Sequence, residues 1–189
     1  MSLKMKVKVG GITNLSDARY SAGMGVDWLG FPTGALSPTA YKEIINWVSG
    51  PELVLEVPPG APNLEEVRTQ YPGHYVQVAV QDLRLIQENS ELQFWVTLQA
   101  QEWPQYREAI AQLSNISWLE IQASAEQREW VAQIQNQRPV IWAFGNDLSV
   151  EVAERCGVAG IALQGGHEEK PGLRNYAQLA DVLEQLEVD

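Results

Sequence analysis

The chain has 189 residues, 45% of them apolar and 20% charged, and a net charge of −11 at neutral pH. This is globular composition, which excludes a disordered chain, a collagen and a small disulfide scaffold. The acidic balance argues against a nucleic-acid partner, because no basic stripe is present to release phosphate counterions. The length fits about one to two domains, and no internal linker breaks it, so residues 1–189 read as one domain. No apolar run reaches the roughly 18 residues of a membrane span, and the first residues lack an apolar signal core. The only cysteine, Cys156, has no partner for an internal disulfide, which suits a reducing compartment and predicts a cytoplasmic protein.

Short β-rich apolar runs alternate with helical patterns along the whole chain. Strands are predicted at 6–9, 27–31, 53–57, 75–79, 92–97, 116–121, 140–144 and 160–163. Helices are predicted at 15–24, 38–48, 64–70, 83–88, 104–113, 125–134, 149–154 and 175–186. Asn14 and Ser37 are good N-caps, since a short side-chain oxygen accepts an orphan backbone N–H. Pro38 follows at the first helical position, where a missing N–H costs nothing. Gly50, Gly73 and Gly157 fall where helices should end. Eight strand–helix units predict a compact (β/α)8 TIM barrel with short loops. The competing fold, an open doubly wound sheet, would want a G-x-G-x-x-G fingerprint after the first strand, and GGITNL does not supply it.

Strand parity sorts the side chains. With the apolar positions turned outward toward the helices, Lys8, Glu56, Gln77, Glu120 and Gln164 turn inward, and so does Trp118. Lone buried charges are expensive, so Lys8 should pair with Glu56 or Glu120. Two readings stand side by side: a structural ion pair plugging a small barrel, or the floor of an active site, which barrel enzymes place at the C-terminal ends of their strands.

The segment VKVGGITNLSDARYSAGMGVDWLGF, residues 7–31, resembles the opening of the phosphoribosylanthranilate isomerases, V-K-I-C-G-I-T-N followed by A-x-x-x-G-A-D-x-x-G-F. The segment GIALQGGHEEKPGLRNYAQLADVLEQL, residues 160–186, is similar to the close of that family, V-D-V-S-S-G-V-E-x-x-P-G-x-K-D. The resemblance implies a TIM barrel and the Amadori rearrangement of phosphoribosylanthranilate in tryptophan biosynthesis, without metal or organic cofactor, in a monomer or a homodimer. It also implies a cysteine base at the end of the first strand, an aspartate acid ending the sixth, an arginine for the anthranilate carboxylate and a phosphate site after strands seven and eight.

Several of these parts are altered. The cysteine position is Gly10, which has no side chain to move a proton. Glu120, in WLEIQ, stands at the aspartate position and retains a carboxylate. The loop FPTGALSPTAY, residues 31–41, contains no arginine, and a bidentate carboxylate partner gives both geometry and energy. QASAEQREW, residues 122–130, replaces a glycine-rich segment. Phosphate binding is expected at Gly145, Gly165 and Gly166, where glycines let backbone N–H groups approach an oxyanion. His167 adds a donor there, while Asp147 and Glu168 would repel phosphate if turned toward it. Cys156 reads as a packed structural thiol. His74 reads as a surface turn residue, and the two histidines have no metal-ligand spacing. The seven tryptophans read mostly as core, with Trp118 placed to fill space that a relative would give to its substrate's ring.

The expected protein is therefore a phosphoribosylanthranilate isomerase-like barrel, impaired or inactive as that isomerase, that retains binding of a phosphorylated small molecule such as a phosphoribosyl compound. The alternative is an active isomerase, or a related sugar-phosphate enzyme, using Glu120 with Lys8 or His167 in place of the missing base.

Overall fold

The first strand, β1 (Lys6–Gly10), is extended because its alternating Lys and Val side chains suit the two faces of a sheet. Asn14 then starts α1 (Leu15–Gly23): its side chain accepts from the Asp17 N–H at 2.9 Å. The same strand–helix step repeats through β2 (Trp28–Pro32), α2 (Pro38–Ile45), β3 (Glu52–Glu56), α3 (Leu64–Gln70), β4 (Tyr75–Ala79) and α4 (Leu83–Glu88). It continues through β5 (Phe94–Gln99), α5 (Trp103–Ala111), β6 (Ile116–Gln122), α6 (Arg128–Gln135), β7 (Val140–Ala143), α7 (Val150–Arg155) and β8 (Gly160–Gln164). The structure is a computed structural model that describes residues 3–60, 63–145, 147–170 and 173–188.

All eight strands are parallel and close into a barrel in sequence order, with β8 returning to β1. The predicted (β/α)8 TIM barrel is the observed fold. Closure brings Lys6 opposite Gly160, so close that a Cβ on Gly160 would lie 2.2 Å from the Lys6 carbonyl oxygen. Glycine is needed there because a backbone neighbour cannot step aside.

Parity sorts the core as expected. Val7, Val9, Leu55, Val76, Val78, Leu119, Ile121, Ile161 and Leu163 face outward into the layer shared with the helices. Trp28, Val54, Trp95, Ile141 and Ala162 form a separate cluster inside the barrel, joined by Tyr75 and Trp118.

Two departures from the sequence reading stand out. Single-turn 3-10 segments at Val80–Asp82, Ala100–Glu102 and Ala125–Gln127 lead into α4, α5 and α6. The last two carry a capping box, in which the side chain at the N-cap and the one three residues later each satisfy the other's backbone N–H. The second departure follows β8. His167–Lys170 (β9) and Leu173–Asn175 (β10) pair as an antiparallel hairpin, where the sequence reading placed a loop and the start of the last helix. The last helix, α8 (Ala177–Leu186), begins two residues later than predicted. Among the described residues, no helix is long and apolar enough to cross a membrane.

Candidate active site

The barrel interior changes character from one end to the other. Toward the N-terminal ends of the strands it is filled by rings: Trp28 meets Trp95 and Trp118 edge-on, at centroid distances of 5.1 and 4.9 Å. Trp118 lines a cavity on that N-terminal side with Lys6, Asp27 and Ala159. The expectation that Trp118 fills substrate space is thus corrected. It stands two residues before Glu120 on β6, and one pleat repeat places it below the C-terminal mouth.

Above the rings lies a polar layer centred on Lys8, which is 1% exposed. Its ammonium contacts Glu56 Oε1 at 2.8 Å and Glu120 Oε2 at 2.8 Å, and donates to Gln77 Oε1. Lys8 was expected to pair with Glu56 or Glu120, and it pairs with both. Three acceptors match the three N–H groups of an ammonium. The Trp95 ring lies 5.3 Å from Nζ, within cation–π range. Burial by itself would lower the pKa of Lys8. The Glu120 and Glu56 carboxylates and their hydrogen bonds outweigh it and hold the pKa above its ordinary value of 10.5. An ammonium has no lone pair to accept a proton, so this geometry places Lys8 to hold the two carboxylates.

Glu56 reaches Lys8 across an intervening strand. It stands on β3, Lys8 stands on β1, and β2 lies between them. The crossing works because β2 carries Gly30 there: a Cβ on Gly30 would lie 2.2 Å from Glu56 Oε1. The carboxylate ends beside Gly10, where an added Cβ would lie 2.6 Å from Oε1. It also accepts the Gly11 N–H at 3.0 Å through Oε2. The room that a side chain at position 10 would need is therefore filled by Glu56. Parity turned Glu56 inward, but nothing local marked it as the occupant of this place; the available signal was the strand glycine, which marks a close approach.

The layer opens into a cavity of about 370 Å³ at the C-terminal ends of β3 to β6. Glu56, Gln77 and Thr97 form its floor, and Gln77 Nε2 donates to Thr97 Oγ1 at 2.6 Å. Gln81, Gln99, Glu102 and Gln122 form its rim. Sequence reasoning passed over Gln99, which ends β5, and Gln81 and Glu102, which lie in the short 3-10 segments past β4 and β5. Among the described residues, no lysine or arginine lines this cavity.

The three glycines expected to bind phosphate lie on the far side of the mouth. The Gly165 N–H donates to the Gly10 carbonyl at 2.9 Å. A Cβ on Gly165 would lie 3.2 Å from Asp17 Oδ2, one on Gly145 3.2 Å from Asp147 Oδ1, and one on Gly166 2.6 Å from the Tyr176 ring. Asp17 is fully buried; it accepts from the Tyr176 hydroxyl at 2.6 Å and from Asn14 Nδ2 at 2.8 Å. Tyr176 in turn stacks on Tyr20 at 4.5 Å. Carboxylates thus stand beside two of the three glycines, and an aromatic ring covers the third. His167 is the first residue of β9; its side chain, like that of Glu168, lies outside the described part of the structure.

Cys156 is the C-cap residue of α7, and its Sγ lies 3.8 Å from the Arg128 carbonyl of α6. Burial pushes its thiol up against the opposing effect of Arg128. This position is on the outer helical layer, away from the mouth. His74 accepts the Leu53 N–H through Nδ1 at 2.9 Å, at the N-terminal end of β4. Among the described residues, no group of His, Cys, Asp and Glu side chains could hold a metal ion.

Similar folds occur among solved structures. A phosphoribosyl anthranilate isomerase in complex with reduced 1-(o-carboxyphenylamino)-1-deoxyribulose 5-phosphate superposes with a TM-score of 0.71 at 17% identity, over 96% of each chain. The N-(5'-phosphoribosyl)anthranilate isomerase from Pyrococcus furiosus gives 0.69 at 15% identity, also over 96% of each chain. The chain has the (β/α)8 barrel fold of these isomerases. A truncated 3-deoxy-D-arabino-heptulosonate 7-phosphate synthase from Thermotoga maritima gives 0.70 at 14% identity, over 96% of this chain and 84% of that one, so the same barrel carries other chemistry as well. No family model matches the sequence, and no curated protein matches it.

Proposed function

We propose that the chain is a phosphoribosylanthranilate isomerase-like barrel that is impaired or inactive as that isomerase and binds a small molecule at its mouth. The observation that carries this reading is Gly10, which ends β1 beside the Lys8–Glu56–Glu120–Gln77 network without a side chain of its own. The family reaction needs a proton acceptor at the end of the first strand and a cation for the anthranilate carboxylate. Gly10 offers no acceptor of its own, and among the described residues no lysine or arginine lines the mouth cavity. Positioned proton transfer contributes about 10²–10⁴-fold, so losing the acceptor and the carboxylate anchor together removes most of the expected rate. The crowding of Gly145, Gly165 and Gly166 by Asp147, Asp17 and Tyr176 weakens the case that a phosphate is retained there. A small-molecule ligand rather than a nucleic acid suits the net charge of −11.

A second reading is favoured by one feature, the carboxylate that Glu56 supplies beside Gly10. In it the protein is an active isomerase, or a related sugar-phosphate enzyme. Glu120 is the proton donor, Glu56 takes the proton that the missing side chain would have taken, and His167 is a further candidate. Lys8 then fixes both carboxylates. The two readings separate in one assay. Purified protein is mixed with phosphoribosylanthranilate and the loss of anthranilate fluorescence is followed. The first reading expects no loss above the uncatalysed rate. Turnover at about 1 s⁻¹ or faster, abolished by Glu120→Gln, would overturn it in favour of the second.

A further inference from the structure

We infer that the barrel carries a further site at its N-terminal end, away from the mouth, that takes a small aromatic carboxylate between Lys4, Lys6 and Trp118. A cavity of about 520 Å³ opens there, within the range of small-molecule sites. Trp118 and Ala159 are half-buried members of the interior cluster around Trp28 and Trp95, and both line this cavity. The aromatic filling of the barrel therefore meets solvent at this point. Lys4 and Met5 supply another part of the wall. That segment is held by the other end of the chain: the Lys4 N–H donates to the Leu186 carbonyl at 2.8 Å, and Leu3 bridges to Glu187.

Among the described residues, the lining holds two ammonium groups, Lys4 and Lys6, and one carboxylate, Asp27. Both oxygens of that carboxylate are engaged. Asp27 Oδ1 accepts from Lys6 Nζ at 3.1 Å, and Oδ2 accepts the Val7 N–H at 2.8 Å. Lys4 Nζ donates to the Gln185 carbonyl at 3.1 Å. An ammonium has three N–H groups, so each lysine, with one such acceptor, keeps donors for a ligand. One negative charge balances this lining, and a carboxylate brings it with two acceptor oxygens. Glu52 and Glu187 stand outside the lining; Glu52 Oε2 accepts the Trp28 indole N–H at 3.0 Å and the Tyr75 hydroxyl at 3.3 Å. The ring preference comes from the indoles. Lys6 Nζ lies over the Trp28 ring at 5.0 Å from its centroid, which leaves the half-buried Trp118 as the ring a ligand can meet. An aromatic ligand makes offset or edge-on contacts with it that an aliphatic acid cannot make.

This site lies at the other end of the barrel from the mouth, so it stands or falls independently of the proposed function. Ligand-observed saturation-transfer NMR on the full chain is run with benzoate and cinnamate. Acetate, benzyl alcohol, benzylamine and inorganic phosphate serve as probes lacking the ring, the charge, its sign or the carboxylate. Benzoate and cinnamate are expected to bind, with the other four weaker and with added salt weakening the binding. Lys4→Gln/Lys6→Gln should weaken benzoate about tenfold or more. Lys4→Gln alone, which leaves the Lys6–Asp27 pair in place, should weaken it about threefold. Trp118→Leu should weaken benzoate and cinnamate and leave acetate as it was. Lys42→Gln, at an exposed position on α2, should change nothing. Circular dichroism melts show that each variant remains folded. No binding of either aromatic acid would overturn the inference. So would equal or tighter binding of any of the other four probes, or benzoate binding that survives both lysine variants.

Discussion

Lys8 carries a full charge at 1% exposure, and it is stable there only because two carboxylates and an amide face it. Removing one side of a buried ion pair typically costs about 3–5 kcal/mol, because the charge left behind has neither water nor a partner. Lys8→Met should therefore lower the unfolding free energy by about that amount, measured by urea denaturation near neutral pH. The pH dependence has a definite sign. The folded pKa of Lys8 is raised above its ordinary 10.5, so its contribution is complete below 10.5 and is lost as pH rises through the folded value. The stability gap between wild type and Lys8→Met should be constant from pH 7 to about 10 and narrow above that. A gap that grows with alkalinity would contradict the network. Gly10 is tied to the same network through Glu56. Gly10→Ala forces a methyl into contact with a carboxylate pinned at both oxygens, an overpacking cost of about 1–3 kcal/mol. In a Glu56→Ala background that cost should shrink, giving a double-mutant coupling of at least about 0.5 kcal/mol. Additive losses would mean that the carboxylate does not fill this room.

Individual elements owe their positions to local chemistry, and the first helix shows how far a cap can reach. Asn14 caps α1 through the Asp17 N–H, while its amide donates to the Asp17 carboxylate. That carboxylate also receives the Tyr176 hydroxyl at the start of α8. Asn14→Ala should thus cost more than the roughly 1 kcal/mol of an isolated N-cap, with the excess reflecting a loosened link between α1 and α8. A thermal melt of Asn14→Ala beside Ser37→Ala, whose cap bonds only the Ala40 N–H, makes the comparison. Equal losses would show that the Asp17–Tyr176 contact is independent of the cap. The hairpin β9–β10 is the element that sequence reasoning missed. Its residues, HEEK and LRN, are too polar for the alternating apolar pattern of a strand. It forms a two-stranded sheet of its own rather than a part of the barrel sheet.

Closure of the whole barrel depends on the β1–β8 seam. Gly160→Ala would drive a methyl against the Lys6 carbonyl, where the obstacle is backbone and no rotamer change relieves it. The seam should open locally: we expect a loss of at least about 2 kcal/mol and faster amide exchange along β1 and β8 than along β4 and β5. Unchanged exchange at the seam would mean that the strands accommodate the methyl by sliding. The small size of the molecule also shapes its interior. In a barrel this small, Trp28, Trp95 and Trp118 fill the lower half, which leaves the Lys8 layer and the cavity above it to the C-terminal half. The order of strands and helices, the outward apolar face of each strand and the inward turn of Lys8, Glu56, Gln77 and Glu120 were all legible in the sequence. Each follows from a period of two or from a cap, and both are set by residues within a few positions of one another. The sequence likewise showed that Gly10 lacks a side chain. Only the tertiary structure decided what fills that room, which residues crowd the glycines at Gly145, Gly165 and Gly166, and which amides ring the mouth. Glu56 meets Gly10 because closing the cylinder sets β3 one strand away from β1 and because Gly30 leaves the strand between them bare; distances across a closed sheet depend on the register of every strand at once, and no local pattern of residues encodes them.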